Sequence, residues 1–352
     1  MRFLRITLLG LFTITLAACA GDDGPTSPAD DSLDPRGGLG LAAAVQAQQE
    51  DLMSIPGVVG VGRGETAAGR PAVVVLARDG GVRGVPAAFG AVPVRVIVTG
   101  EIYALPQGPP CPPKCDGGGG GGGGGDVDPT ARFDRPVPIG VSTGHPAITA
   151  GTIGARVERG PNVYALSNNH VYADANQASI NDEVLQPGAF DGGSAPNDVI
   201  GTLANFVPIV FSTSANNRVD AAIAATSTNQ LGNSTPSNGY GTPRSTTATV
   251  GVNDRVMKYG RTTGQTKGRV LATNTTVNVN YGSPGVARFV DQIVIGGGGF
   301  SQGGDSGSLI VLERGSGARR PVGLLFAGSS SATIANPIDF VLDALNVTID
   351  GN

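Results

Sequence analysis

The stretch Gly303-Gly304-Asp305-Ser306-Gly307-Ser308-Leu309-Ile310-Val311-Leu312 carries the strongest chemical signal in the chain. A serine set among small residues, with an acid before it and an apolar run after it, is a candidate nucleophile. Its glycines permit a turn that aims backbone N–H groups at one point, as an oxyanion hole requires. A bare Gly-X-Ser-X-Gly also suits the nucleophile elbow of an α/β-hydrolase, but that fold needs long helices between its strands. Such helices are missing. From residue 130 onward the chain reads as apolar stretches separated by Gly, Asn, Ser, Pro and Thr. They include Ala147–Ile153, Asn162–Leu166, Val199–Val210, Val219–Ala225, Val256–Tyr259, Arg269–Ala272, Thr276–Tyr281, Phe289–Ile295 and Val322–Phe326. About a dozen short strands with turns between them predict an all-β barrel or sandwich. Only Pro337–Leu345 reads as a helix, with Ile338, Val341, Leu342 and Leu345 at helical spacing.

Two histidines occur in the whole chain, His145 and His170. His170, in Ser167-Asn168-Asn169-His170-Val171, follows an apolar run where a loop would open, and is the candidate base. His145 lies beside a proline near the start of the β region and is the weaker candidate. Asp220, in Val219-Asp220-Ala221-Ala222-Ile223, heads a buried run and suits a carboxylate that orients an imidazole. Asp174, Asp182, Asp191 and Asp198 are alternative acids. The chain order His170, Asp220, Ser306 on an all-β chain discriminates among triad-bearing folds.

With these three motifs, residues 130–352 resemble the chymotrypsin/trypsin-like serine peptidases, in their bacterial branch. Gly304-Asp305-Ser306-Gly307 matches the nucleophile motif in full, and Asn168-Asn169-His170 departs from the more usual Ala-Ala-His. No cysteine follows residue 115, so the disulfides of the animal enzymes are absent. The resemblance implies two six-stranded antiparallel β-barrels, about 139–230 and 248–335, with the site in the cleft between them. It implies a serine endopeptidase acting on a peptide or protein substrate. Ser306 is then the nucleophile, His170 the base, Asp220 its orienting acid, and the amides of Gly304 and Ser306 the oxyanion hole, with Asp305 a structural acid under the loop. Val322–Gly328 resembles the strand that pairs with substrate backbone. Phe300 stands six residues before the nucleophile, where trypsin-like members carry an acid. With Phe326 and Gly328 it would form a pocket for a small or apolar side chain. The alternatives are a catalytically idle homologue used as a surface-anchored binding protein, and a serine esterase.

The remaining sequence reads as separate pieces. Arg2 and Arg5 precede the apolar run Leu8–Leu16, which marks residues 1–18 as a signal peptide. Leu16-Ala17-Ala18-Cys19 resembles a bacterial lipoprotein signal, so Cys19 is the expected lipidation site. The protein is then exported and anchored to the cell envelope by its lipid, or secreted. Residues 19–38 are expected to be a disordered tether. Residues 39–105 read as a small α/β domain, with a helix over Leu39–Leu52 and strands at Val58–Gly62, Ala72–Ala77 and Val92–Thr99. Residues 106–129 are a Pro/Gly-rich linker with nine consecutive glycines. Cys111 and Cys115 are expected to form a local disulfide in an oxidising compartment. An intramolecular contact of 39–105 with the peptidase domain is a further expectation. The 352 residues carry 24 basic and 28 acidic side chains with no Arg-rich run, which argues against nucleic-acid binding. Two His and three scattered Cys leave little room for a zinc site, and no cofactor is implied.

Overall fold

The computed structural model describes residues 40–104 and 127–352. The signal peptide, Cys19, the tether, and Cys111 and Cys115 all lie outside the described residues. The first described segment runs α1 (Leu41–Ser54), β1 (Val58–Glu65), β2 (Pro71–Ala77), β3 (Ala88–Phe89), β4 (Val92–Val98) and β5 (Tyr103–Ala104). The second begins with β6 (Ser142–Thr143), β7 (Gly151–Thr152), β8 (Ala155–Arg159) and β9 (Asn162–Ser167), then α2 (Asn169–Tyr172). It continues with β10 (Glu183–Leu185), β11 (Val199–Phe206), β12 (Ala222–Thr226), β13 (Arg255–Gly260), β14 (Gly264–Asn280) and β15 (Val286–Gly296). β16 (Leu309–Leu312), β17 (Pro321–Gly328), β18 (Ala332–Pro337), α3 (Ile338–Leu345) and β19 (Thr348–Ile349) complete it.

The protein is mainly β, as the sequence predicts. β10-β11-β12-β9-β8-β19 form one six-stranded antiparallel sheet, in that spatial order. Its last strand comes from the C-terminus, beyond the expected 139–230. In the second half, β13-β16-β17-β18-β15-β14 pair antiparallel, and β14 pairs back to β13, so six strands form a ring. The ring pairs its six strands along most of their length, while the later part of β14 and the end of β17 extend beyond it.

Three apolar cores follow from strand alternation. Val137, Ile139, Ile153, Val171 and Leu203 fill the first sheet. Val256, Val270, Ile295, Phe300 and Ile310 fill one end of the ring. Between sheet and ring lie Leu166, Ile223, Leu309 and Leu324, where α3 inserts Ile338, Val341 and Leu345. That helix carries Asp339 in its first turn and ends on left-handed Asn346, both favourable to a short helix.

Residues 40–104 continue the same β-structure. β1 pairs antiparallel with β14, β2 pairs with β1, and β4 pairs parallel with β2. One face of this extension packs on α1 through Val45, Leu52, Val61, Val73 and Val75. Its other face sends Val59, Val74 and Leu76 into a core shared with Val277, Phe289, Phe326 and Ile334.

Candidate active site

His170 sits on the single turn α2, directly after β9. That turn is held by the two asparagines that depart from the more usual motif. Asn168 donates its side-chain amide to the Asp220 carbonyl at 2.7 Å, and Asn169 donates to the Val207 carbonyl at 2.7 Å and to Asn176 Oδ1 at 2.8 Å. Both are buried, so each bond forms in a low-dielectric setting. They tie the histidine turn to the segment that carries the acid. Sequence reading registered them as a variation and missed this role.

Asp220 is fully buried in front of β12. Its Oδ2 lies 2.5 Å from His170 Nδ1, and its Oδ1 accepts the His170 backbone N–H at 3.2 Å. Its own N–H donates to Asn336 Oδ1 at 2.9 Å, and Asn336 donates in turn to Gln292 Oε1 at 2.7 Å. The acid is thus fixed from the first sheet and from the ring. The other candidates are engaged elsewhere. Asp182 pairs with His145 at 3.2 Å, and Asp191 pairs with Arg261. Asp198 takes Arg132 at 2.5 Å, and Asp174 occupies a left-handed turn at φ 45°. A Ser179 N–H and then His145 hold the Asp182 carboxyl below its ordinary range. Arg132 does the same for Asp198.

Ser306 lies in the loop before β16 and is buried; its Oγ is 3.4 Å from the Phe326 carbonyl of β17. Its own carbonyl accepts the Thr152 N–H at 2.7 Å. The neighbouring Gly151 shows how closely the halves meet. A Cβ there would lie 2.6 Å from Val171 and 3.1 Å from the Ser306 carbonyl, so only glycine fits between the His170 turn and the Ser306 loop. Gly304 adopts φ +93°, and a Cβ on it would meet Thr262 Oγ1 at 2.5 Å. Both facts make glycine a requirement of this turn.

Asp305 anchors the loop from beneath. It accepts N–H groups of Thr262 (2.9 Å), Thr263 (3.2 Å) and Gln302 (3.0 Å), and the Thr263 hydroxyl at 2.7 Å. Lys258 Nζ stands 3.3 Å from it, with both side chains fully buried. Burial pushes the Lys258 ammonium below its ordinary value, and Asp305 opposes that shift. The pairing joins β13 to the nucleophile loop and was not visible as spacing.

The three suggested pocket residues do not share one environment. Phe300 packs with Val256, Val270 and Ile295 inside the ring, while the Phe326 ring lies 4.7 Å from Phe289 in the core shared with β1 and β2. Gly328 pairs with Tyr103 of β5. Among the described residues, no three His, Cys, Asp or Glu side chains gather at one point as a metal would require.

Residues 243–336 match a family model described as the Nal1 C-terminal domain, which is less than half of the chain. No curated protein matches. Among solved structures, the chain is similar to a glutamic acid-specific serine protease described as using a histidine triad in substrate binding. The two are 22% identical, with 60% of this chain and 100% of that one covered, at a TM-score of 0.43. Thermobifida fusca protease A is 17% identical over 61% of this chain and 100% of its own, at 0.45. The Cellulomonas bogoriensis chymotrypsin is 17% identical over 62% and 100%, at 0.42.

Proposed function

We propose that the protein is a serine endopeptidase whose nucleophile is Ser306. The observation that carries this reading is the 2.5 Å contact of His170 Nδ1 with the buried Asp220 carboxylate, which leaves Nε2 as the working nitrogen. In the first step Ser306 Oγ attacks the peptide carbonyl carbon while His170 Nε2 takes the hydroxyl proton. The amides of Gly304 and Ser306 receive the oxyanion. His170 then gives its proton to the leaving amine as the C–N bond breaks. Water repeats the sequence on the acyl-enzyme and restores Ser306. Asp220 holds the imidazole through Nδ1 and supports the imidazolium. Export through the signal peptide and lipid attachment at Cys19 would place this activity at the cell envelope.

The segment 40–104 bears on the same site. β5 pairs antiparallel with β17, Ala104 opposite Ala327 and Tyr103 opposite Gly328. A chain paired here is carried by its next register position to Phe326, whose carbonyl is 3.4 Å from Ser306 Oγ. β5 therefore takes the edge an extended substrate would use, and residues 40–104 act as an internal regulator of entry.

A tagged fluorophosphonate tests the peptidase reading on the full chain and on Ala104→Glu, which drives β5 off its edge. Phosphorus bonds to Ser306 Oγ with loss of fluoride, so both proteins gain the tag and Ser306→Ala does not. Absence of the tag from both folded proteins overturns the reading. Comparison of matched peptide and ester substrates separates an endopeptidase from an esterase.

A further inference from the structure

Tyr281 stands at the end of β14, buried, in a region that sequence reading treated only as the edge of an apolar run. Its hydroxyl donates to Asp220 Oδ2 at 2.7 Å, the same oxygen that meets His170 Nδ1 at 2.5 Å. Its ring lies edge-on to the His170 imidazole, with centroids 6.0 Å apart and planes at 76°. Phe211 packs edge-on against the tyrosine at 5.4 Å, and Phe289 stacks on it at 6.2 Å. The residue before it is anchored as well. Asn280 donates its backbone N–H to the Ile102 carbonyl at 2.9 Å and its side-chain amide to Glu101 Oε1 at 2.9 Å.

From this geometry we infer that Tyr281 is a positioning residue for the His170–Asp220 pair, delivering the hydroxyl that fixes the carboxylate and tempers its charge. His170 engages both carboxylate oxygens, Oδ1 through its backbone N–H and Oδ2 through Nδ1. Tyr281, directly after β14, adds a donor to Oδ2 from the other half of the molecule and braces the pair against displacement. It also withdraws negative charge from the oxygen that faces the imidazole. The phenol serves only as a neutral donor. Burial, and then the Asp220 charge, hold its proton well beyond the ordinary tyrosine range. The geometry stands without the peptidase reading, although its consequence for catalysis rests on that reading.

Asn168 and Asn336 hydrogen-bond the backbone of Asp220, at its carbonyl and its N–H. Arg218, two residues before the acid, is half exposed and directed to Asp291 at 3.2 Å. Asp305 and Lys258 are occupied with each other below the nucleophile loop.

The test is Tyr281→Phe, which keeps the ring and its packing and removes one oxygen. The chain has only two histidines. His170 can therefore be followed by NMR of the full chain, with His145→Gln making the assignment. Without the hydroxyl, the carboxylate holds the imidazole proton more strongly. The His170 titration midpoint therefore rises by about half a pH unit or more. The acidic limb of the fluorophosphonate labelling rate moves with it, and the labelling rate falls. An unmoved NMR midpoint overturns the inference, as does a Tyr281→Phe protein that melts lower with an unchanged midpoint. Failure of Ser306 to label is a separate outcome. It removes the peptidase reading and leaves the NMR measurement to decide the role of Tyr281.

Discussion

At the scale of single residues, the site depends on two buried charges that sequence spacing did not connect. Lys258 and Asp305 are 47 positions apart in chain number and meet at 3.3 Å with no exposure. Removing one partner leaves the other charged and unpaired in a dry place, which costs about 3–5 kcal/mol. Lys258→Met is therefore expected to lower the melting temperature sharply. Lys258→Met/Asp305→Asn is expected to recover part of the loss, since it removes the unpaired charge while leaving the Gln302 N–H, which Asp305 Oδ2 accepts, without its acceptor. A thermal melt of the two variants decides this. Equal melting of Lys258→Met and the unaltered protein would show that the pair is not what holds the loop. His170, Asp220 and Ser306 could be selected from sequence because their residue types are scarce or their neighbours distinctive. Lys258, Asn168, Asn169 and Tyr281 could not, because a lysine, an amide or a tyrosine in an apolar run has no chemical signature until its partner is placed.

At the scale of elements, the longest strand shows where periodicity misleads. Arg269–Ala272 and Thr276–Tyr281 read as two strands because Thr273, Asn274 and Thr275 interrupt the apolar pattern. They belong to one strand, β14, whose register shifts between Ala272 and Thr275, with Asn274 at φ 46°. A bulge absorbs the polar residues without ending the pairing and bends the strand. Its first part pairs with β13, and its later part pairs with β1. The opposite error occurs at Ala147–Ile153, where only Gly151–Thr152 is strand. Ile148 N–H closes a turn on the His145 carbonyl at 3.1 Å, so the apolar residues before it fill a loop. β5 carries the prediction at this scale. Ala104 is buried in the shared core, and a charge there is costly to bury. Ala104→Glu should release β5 and lower KM for an extended peptide about tenfold or more, because a larger fraction of molecules is open. An unchanged KM in a folded Ala104→Glu protein would remove β5 from the substrate path.

At the scale of the whole molecule, residues 40–104 and the ring are one packed body across the β1–β14 pairing. Val59, Val74 and Leu76 face the ring, and each buried side chain of this size contributes about 1.5–3 kcal/mol. Glu50 of α1 adds an ion pair with Arg288 of β15 at 2.9 Å. Deleting residues 40–104 should therefore destabilise the remaining chain by several kcal/mol and expose the Phe289 and Ile334 face to a hydrophobic dye. A deletion that melts at the same temperature and binds no dye would show that the shared core is dispensable. The fold class was legible because short apolar runs and frequent turns leave few architectures. The continuity of the sheet was not, since β1 and β14 are distant in sequence and no local pattern records which edge a strand will meet.

The mainly β class, the C-terminal helix and the candidate base and nucleophile, His170 and Ser306, were legible in the amino-acid sequence, together with a short roster of acids that included Asp220. These are set by local periodicity, by turn residues and by the scarcity of histidine. Only the tertiary structure decided that Asp220 rather than four other acids meets His170, that Tyr281 completes the carboxylate's partners, and that β5 lies on the edge of β17. Each of these is a contact between distant segments. Its energy depends on distance and burial, quantities that exist only once the chain has folded.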